Sequence, residues 1–259
     1  VYYKQSQGNN STLISKAEDE FKTATILNKK DYMAYNALGV ALLKEGSYKD
    51  ARTAFTKALS INPKYSTALD NLGTIDYANG KTADAKKKFM QAIVINPDNS
   101  TALYHIAKLE YNAGNYDKAL NYLNRAMTLK PNFAPNTNLL GEIYKKKKND
   151  AAAIQVFKKS ISQNNQFVMP YYNLASLYEK RGDSEFAMNE LKNAISLNPD
   201  KYRSLKIKLA DMSMITGKYD QAIENYSSLV GDKDKDLNAP ALKGLSNAYF
   251  AKSQNLTNK

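Results

Sequence analysis

The sequence predicts an all-α fold of stacked helix pairs, because small residues recur along the chain with the period of a helical hairpin. Gly39, Gly73, Ala107, Gly141, Ala175 and Ala210 follow one another at spacings of 34, 34, 34, 34 and 35 residues. Three further series keep the same register: Ala51, Ala85, Ala119, Ala153, Ala187 and Ala222; Ala58, Ala92, Ala126, Ser160 and Ala194; and Phe55, Phe89, Leu123, Phe157, Leu191 and Tyr226. Small side chains let two helices approach closely, so each period is expected to hold one packed pair.

Turn residues divide each period into two helices. Apolar residues recur at helical spacing on both sides of a glycine, a residue that favours the end of a helix. These glycines are Gly46, Gly80, Gly114, Gly182 and Gly217, and in the fourth period the lysine run at 145–148 stands in the glycine's place. Pro63, Pro97, Pro131 and Pro199 close the second helices. Ser66 and Ser100 are expected to cap the helices that follow.

The segments NALGVALLKEGSYKDARTAFTKALSINP (36–63) and NLGTIDYANGKTADAKKKFMQAIVINP (71–97) resemble the tetratricopeptide repeat (TPR), a helix pair of about 34 residues. The resemblance extends over nearly the whole chain. The family's tryptophan is absent, and its position holds Tyr35, Leu69, Leu103, Thr137, Tyr171 and Lys206. The resemblance implies a right-handed superhelical TPR solenoid, whose first helices line the concave face.

The spacing gives the expected domain organisation. Six repeats are expected at 32–65, 66–99, 100–133, 134–167, 168–202 and 203–236. Residues 1–31 are expected to form a degenerate, partial N-terminal repeat with one helix at 13–28. Residues 237–259 are expected to form a capping helix, at 239–252, and a tail. We expect residues 1–12 and 253–259 to fray.

On the mapping that the resemblance provides, a set of polar and aromatic side chains lines the concave groove and binds a peptide or partner protein. The candidates are Asn36, Asn71, Thr74, Tyr77, Tyr104, His105, Lys108, Tyr111, Asn138, Glu142, Lys145, Tyr172, Asn173 and Ser176. Asn71 and Asn173 occupy the place of an asparagine ladder that in some family members bonds to peptide backbone, although capping or solvation explains them equally well. The tyrosines suit the anchoring of a partner.

Charge bears on the kind of partner. The chain has 37 Lys and Arg residues against 25 Asp and Glu residues, and the net charge of +12 favours an acidic partner. We interpret the lysines at 86–88 and 145–148 as solvated residues that keep the array soluble, with docking of an acidic protein or anionic surface near 145–148 as the alternative. Nucleic acid is not expected, because arginine is scarce. The Lys, Asn and Arg set with which some family members grip a C-terminal carboxylate is incomplete.

The residue types present argue against catalysis and against metal or cofactor binding. The chain has no cysteine and one histidine, His105, so a disulfide, a transition-metal site and a cofactor are not expected. No glycine-rich phosphate loop occurs, and no apolar run is long enough to span a membrane. We therefore expect a binding protein and not an enzyme.

Three functions are compatible with these patterns. The first is a protein-interaction scaffold that binds a partner segment in its concave groove, within a larger assembly. The second is the substrate-recruiting region of a larger enzyme, since the chain begins with Val1 instead of Met and is expected to be a trimmed form. The third is a self-assembling structural scaffold. The cysteine-free composition, rich in Asn and Lys, favours a bacterial protein that is exported or membrane-associated.

Overall fold

The computed structural model describes residues 9–257 of the chain. Within that range the chain forms fourteen helices and no strand, which confirms the predicted all-α fold. The helices are α1 (Asn9–Leu27), α2 (Tyr32–Glu45), α3 (Tyr48–Ile61), α4 (Ser66–Ala78), α5 (Thr82–Ile95), α6 (Ser100–Asn112), α7 (Tyr116–Leu129), α8 (Ala134–Lys146), α9 (Asp150–Gln163), α10 (Val168–Arg181), α11 (Ser184–Leu197), α12 (Leu205–Ile215), α13 (Tyr219–Ser227) and α14 (Lys235–Thr257).

The helices fall into two compact units, one ending at Pro131 and one beginning at Asn132. In the first unit α2 packs on α3, α4 on α5 and α6 on α7, while α3 contacts α4 and α5 contacts α6. The second unit repeats this order from α8 to α13, and α14 packs on α13 and α12. First helices of neighbouring pairs also touch: α2 meets α4, α4 meets α6, and α8 meets α10.

A left-handed residue follows the first helix of each pair. Gly46 has a φ of 88°, and the next N–H, of Ser47, donates to the Leu42 carbonyl at 2.9 Å, which satisfies a carbonyl at the helix end. The other glycines predicted to end first helices also have positive φ. Lys148 adopts a φ of 60° at the corresponding place, as the sequence register predicts. A side chain with a Cβ raises the energy of this conformation by about 1 kcal/mol.

Two helix starts differ from the prediction. Ser66 and Ser100 do not cap α4 and α6; they are the first residues of those helices, and the capping positions hold Tyr65 and Asn99. Asn99 is the better cap because its side-chain oxygen accepts a hydrogen bond from the Ala102 N–H, at 3.1 Å.

Both terminal helices are longer than predicted. α1 begins at Asn9, and α14 starts before 239 and continues past 252, so the expected fraying at 9–12 and 253–257 was wrong. The other residues expected to fray, 1–8 and 258–259, lie outside the described residues. The Asp234 carboxylate supports the early start of α14 by accepting the Asp236 N–H at 3.0 Å. The repeat limits drawn from the spacing stay predictions.

Glycine in the first helix makes room for a phenylalanine ring from the second helix of the same pair. A Cβ built on the glycine would lie 2.5–2.6 Å from the nearest ring carbon in three pairs: Gly39 with Phe55, Gly73 with Phe89 and Gly141 with Phe157. These rings are 0–1% exposed. Where the first helix carries Ala107 or Ala175, the position sixteen residues later holds Leu123 or Leu191. Side-chain size is therefore matched within each of these five pairs.

The last helix contains a seventh member of the small series that the sequence analysis missed. Gly244 follows Ala210 by 34 residues, and a Cβ on it would overlap the buried ring of Tyr226. The Tyr226 hydroxyl donates to Asp211 on α12. Tyr226 thus lies between α12 and α14 and ties the last helix to the preceding pair.

We predict that the Gly73→Ala substitution lowers the free energy of unfolding by about 1–3 kcal/mol, because the added methyl group overlaps the Phe89 ring. Adding Phe89→Leu is expected to recover most of that loss, since it recreates the Ala107 and Leu123 combination. Chemical denaturation of wild type, both single variants and the double variant checks this. Simple addition of the two single losses would contradict the size-matching argument.

Candidate partner-binding faces

The predicted site residues lie on the first helices of the pairs, in two groups. The first-unit face, on α2, α4 and α6, carries Asn36, Asn71, Thr74, Tyr77, Tyr104, His105, Lys108 and Tyr111. The second-unit face, on α8 and α10, carries Asn138, Glu142, Lys145, Tyr172, Asn173 and Ser176. Asn36, Asn138, Glu142 and Asn173 are buried, whereas Tyr77 and Tyr172 are 41% and 40% exposed. The remaining members are half-buried.

Polar side chains of neighbouring first helices bond to each other across the first-unit face. The Asn71 Nδ2 donates to the Asn36 Oδ1 at 3.0 Å, which joins α4 to α2. On the next step, the His105 Nδ1 lies 2.9 Å from the Asp70 Oδ1, which joins α6 to α4. The His105 ring also packs on Phe89, with 4.7 Å between ring centroids. The lone histidine is therefore held by structural contacts.

Three tyrosines give the first-unit face its aromatic character. The Tyr77 hydroxyl accepts a hydrogen bond from the Asn112 Nδ2 at 2.8 Å, which fixes the end of an otherwise exposed ring. The Lys108 ammonium lies 4.9 Å from the centroid of Tyr111, within cation–π range. The third, Tyr104, has its ring centroid 5.5 Å from that of His105.

The second-unit face holds a chain of hydrogen bonds. The Asn173 Nδ2 donates to the Asn138 Oδ1 at 3.2 Å, and the Asn138 Nδ2 donates to Glu142 at 2.8 Å. The Lys145 ammonium donates to the Asn173 Oδ1 at 3.1 Å. Burial lowers the pKa of Lys145. Tyr172 lies beside this chain, with the Lys208 ammonium 5.6 Å from its ring centroid.

These bonds give the asparagines a role that the sequence analysis did not predict. Asn71 and Asn173 each bond to a side chain 35 residues earlier, one position past a full period, and so link consecutive first helices. The sequence does contain a signal for these links, because a polar residue stands 35 positions before each of Asn71, His105 and Asn173. We call these links the inter-repeat ladder.

Buried carboxylates form a second set of links in the first unit. Asp76 on α4 is 2% exposed and accepts hydrogen bonds from Arg52 and Lys88, both at 2.5 Å. Glu110 on α6 is 4% exposed and pairs with Lys86 at 2.7 Å. The sequence interpretation of 86–88 as solvated lysines was therefore wrong for Lys88, which is half-buried against Asp76, whereas Lys86 stays exposed while it pairs with Glu110.

These carboxylates remain ionised in the folded chain. Burial alone would raise the pKa of Asp76, but the hydrogen bonds from Lys88 and Arg52 outweigh it and lower the pKa. The hydrogen bond from Lys86 lowers the pKa of Glu110 against a smaller opposing effect of burial. Each ion pair thus links a first helix to a neighbouring second helix at neutral pH.

Within residues 9–257, no three potential metal-ligating side chains come together. None of the helices in this part of the chain has the length and hydrophobicity that a membrane span requires.

The paired helices, the size-matched contacts and the inter-repeat ladder define a helical-repeat scaffold for protein interaction. Models of the family described as tetratricopeptide repeat match residues 32–65, residues 76–143, and residues 137–167 and 170–201. Together the matches cover more than half of the chain. The chain belongs to the tetratricopeptide-repeat family, as the sequence resemblance indicated.

Solved structures share this fold. The Cut9–Hcn1 hetero-tetramer of the APC/C matches 91% of this chain with a TM-score of 0.76 and 17% identity, and this chain spans 46% of that one. PilF of Pseudomonas aeruginosa matches 87% of this chain and 98% of its own length, with a TM-score of 0.66 and 21% identity. Yeast Tom70 matches 98% of this chain and 62% of its own length, with a TM-score of 0.64 and 19% identity. No curated protein sequence matches the chain.

The inter-repeat ladder predicts a measurable coupling between Asn36 and Asn71. Replacing either residue by alanine is expected to destabilise the chain by about 1 kcal/mol, because a half-buried or buried amide loses its partner. Replacing both is expected to cost less than the sum, by about 0.5–1.5 kcal/mol. Denaturation midpoints of the four chains measure this, with the exposed Thr67→Ala on α4 as a control near zero. Strict additivity would mean that the two amides do not interact.

Acid is expected to weaken the first unit through its buried carboxylates. Their pKa values are lower in the folded chain, so their stabilisation is complete above the unfolded value of about 4 and is lost as the pH falls below it. Glu110→Gln is therefore expected to be less stable than wild type at pH 7, by about 1–3 kcal/mol, and the difference is expected to shrink toward pH 3.

Thermal melts from pH 7 to pH 3 check this expectation. Asp98→Asn, at an exposed turn, provides the control and is expected to follow the wild-type profile. If the stability difference between Glu110→Gln and wild type stays constant with pH, the destabilisation does not arise from the carboxylate charge.

Proposed function

We propose that this chain binds an extended or helical segment of a partner protein on its first-helix faces, as one component of a larger assembly. The observation that carries the proposal is the exposure of ordered aromatic rings among polar side chains that bond to each other. Tyr77 is 41% exposed although Asn112 holds its hydroxyl group, so its ring presents apolar area to a partner. Exposed tyrosines of this kind are enriched among residues that dominate binding energy.

Pre-ordering favours binding at this face. Ordering a rotamer-rich side chain on association costs about 0.5–1.5 kcal/mol. Tyr77 is already fixed by a hydrogen bond, and Tyr111 packs against Lys108 and lies 5.8 Å from Tyr116, measured between ring centroids. Binding of a partner over these rings therefore loses little free energy to ordering them.

The inter-repeat ladder changes which groups are proposed to recognise the partner. Asn71 and Asn173 use part of their hydrogen-bonding capacity on neighbouring helices, so they are not proposed as the main peptide-backbone contacts. The tyrosines, together with Lys108 and Lys145, are instead proposed to make the main contacts with the partner. The net charge of +12 supports a partner segment of acidic character.

The likeness to multi-subunit proteins supports the assembly part of the proposal. The similar Cut9–Hcn1 chain forms a hetero-tetramer of the APC/C. The proposed role of this chain is binding, without a catalytic step of its own.

We predict that Tyr77→Ala and Tyr111→Ala each weaken partner binding about tenfold, equivalent to about 1.4 kcal/mol, because each removes aromatic surface from the first-unit face. Peptides selected from a phage-displayed library on the immobilised chain serve as ligands, and fluorescence anisotropy gives their Kd values. Circular dichroism melts establish that the variants remain folded.

Tyr48→Ala is the matched control, because Tyr48 is 42% exposed but lies on the second helix α3. It is expected to leave the Kd unchanged. Loss of binding with Tyr48→Ala but not with Tyr77→Ala would place the binding surface on the second helices and overturn the proposal.

A further inference from the structure

Lys145 is an unusual cation on the second-unit face. It lies in the last turn of α8, is half-buried, and directs its ammonium toward α10, where it donates to the Asn173 Oδ1 at 3.1 Å. Asn173 is neutral, and among the described residues no carboxylate forms an ion pair with Lys145. Cations withdrawn from water are normally paired with an anion, because desolvation of the charge is costly.

The neighbouring acidic residues are engaged elsewhere. Glu142 accepts a hydrogen bond from Asn138, at 2.8 Å. Asp150 pairs with Lys180 at 2.7 Å, and Glu179 pairs with Lys208 at 2.6 Å. Lys180 and Lys208 therefore have counter-charges, whereas the half-buried Lys145 has none among the described residues.

Hydrogen bonds hold Lys145 in this position. The amide that receives its ammonium is itself fixed, because the Asn173 Nδ2 donates to Asn138, and both asparagines are buried. One donor direction of the ammonium is thus set by a rigid acceptor. An ammonium has three donors, so it keeps the capacity to bind an anion approaching from the open side of the face.

We propose that Lys145 binds the side-chain carboxylate of an aspartate or glutamate in the partner segment. This inference rests on the proposed function and adds the chemistry of one contact. A carboxylate supplies the ion-pair partner that Lys145 lacks among the described residues, and the charge of Lys208 also acts at this position. The low dielectric of a half-buried site strengthens such a pair relative to one on the open surface.

The lowered pKa of Lys145 agrees with this geometry. Burial is its main cause, and the charges that act on the ammonium are those of Glu142, Lys146, Asp150 and Lys208. A carboxylate placed against the ammonium favours the charged form and is expected to raise the pKa again.

Peptide pools test the inference on the full chain. One fluorescein-labelled pool has the form X-X-Glu-X-X and the other X-X-Gln-X-X, where X is any residue, and both are acetylated and amidated at their ends. We expect the glutamate pool to bind wild type five- to tenfold more tightly than the glutamine pool. Lys145→Gln, which keeps a donor for Asn173, is expected to abolish this preference. Lys146→Gln, on the same turn but exposed, is expected to retain it.

The outcomes separate the two proposals. If neither pool binds the chain at any accessible concentration, the proposed function fails, and this inference fails with it. If both pools bind and Lys145→Gln leaves the preference unchanged, this inference alone is overturned. If Lys145→Gln and Lys146→Gln lose the preference for the glutamate pool equally, the preference arises from general positive charge and the inference is overturned. A glutamine pool with a free C-terminus that binds like the glutamate pool would assign the site to a terminal carboxylate instead.

Side-chain NMR provides a second readout. In a chain labelled with 13C-lysine, the Cε resonance absent from the Lys145→Gln spectrum is expected to titrate below the ordinary range of a lysine. The glutamate pool is expected to shift this titration to higher pH, and the glutamine pool is not. A titration that responds equally to both pools would contradict a direct carboxylate contact.

Discussion

The fold depends on the fit between one small residue and one large residue within each of the five helix pairs from α2 to α11. Gly73 admits the Phe89 ring so closely that a single methyl group would overlap it. This contact sets how near the first and second helices lie, and the register of the first helix follows from it. The polar links between pairs form only because that register repeats, so core packing fixes the geometry of the first-helix faces.

Buried apolar clusters extend from one pair to the next, and polar groups add links between the same pairs. The inter-repeat ladder joins first helices on one side, and the carboxylates of Asp76 and Glu110 join first helices to second helices elsewhere. Unpaired buried polar groups are costly, whereas paired ones are specific in distance and direction. Each face is therefore ordered before any partner arrives, and the side chains outside these links remain available for recognition.

Periodicity made the helix pairs, the turns and the all-α class predictable from the sequence, and even Lys148 was found in the place of a glycine. The ladder was not predictable in the same way. The Asn71 amide can hydrogen-bond either to a neighbouring repeat or to a bound peptide. Which bond it makes depends on the three-dimensional position of Asn36. The ion pairs of Lys86 and Lys88 were missed because second-helix lysines look solvated unless the buried carboxylates opposite them are known. Gly244 was missed because a polar turn at 231–238 interrupts the periodic pattern before it.

The matching of glycine with phenylalanine and of alanine with leucine has a consequence for how such a chain evolves. Duplication or loss of repeats preserves the fit when the breakpoint lies between a second helix and the next first helix. A crossover inside a pair, for example one joining α6 to α5, would set Ala107 against Phe89 and create a clash. The reverse exchange would set Gly73 against Leu123 and leave a void. Gene recombination is thus tolerated between helix pairs, and inside a pair only where the exchanged helices carry the same size match.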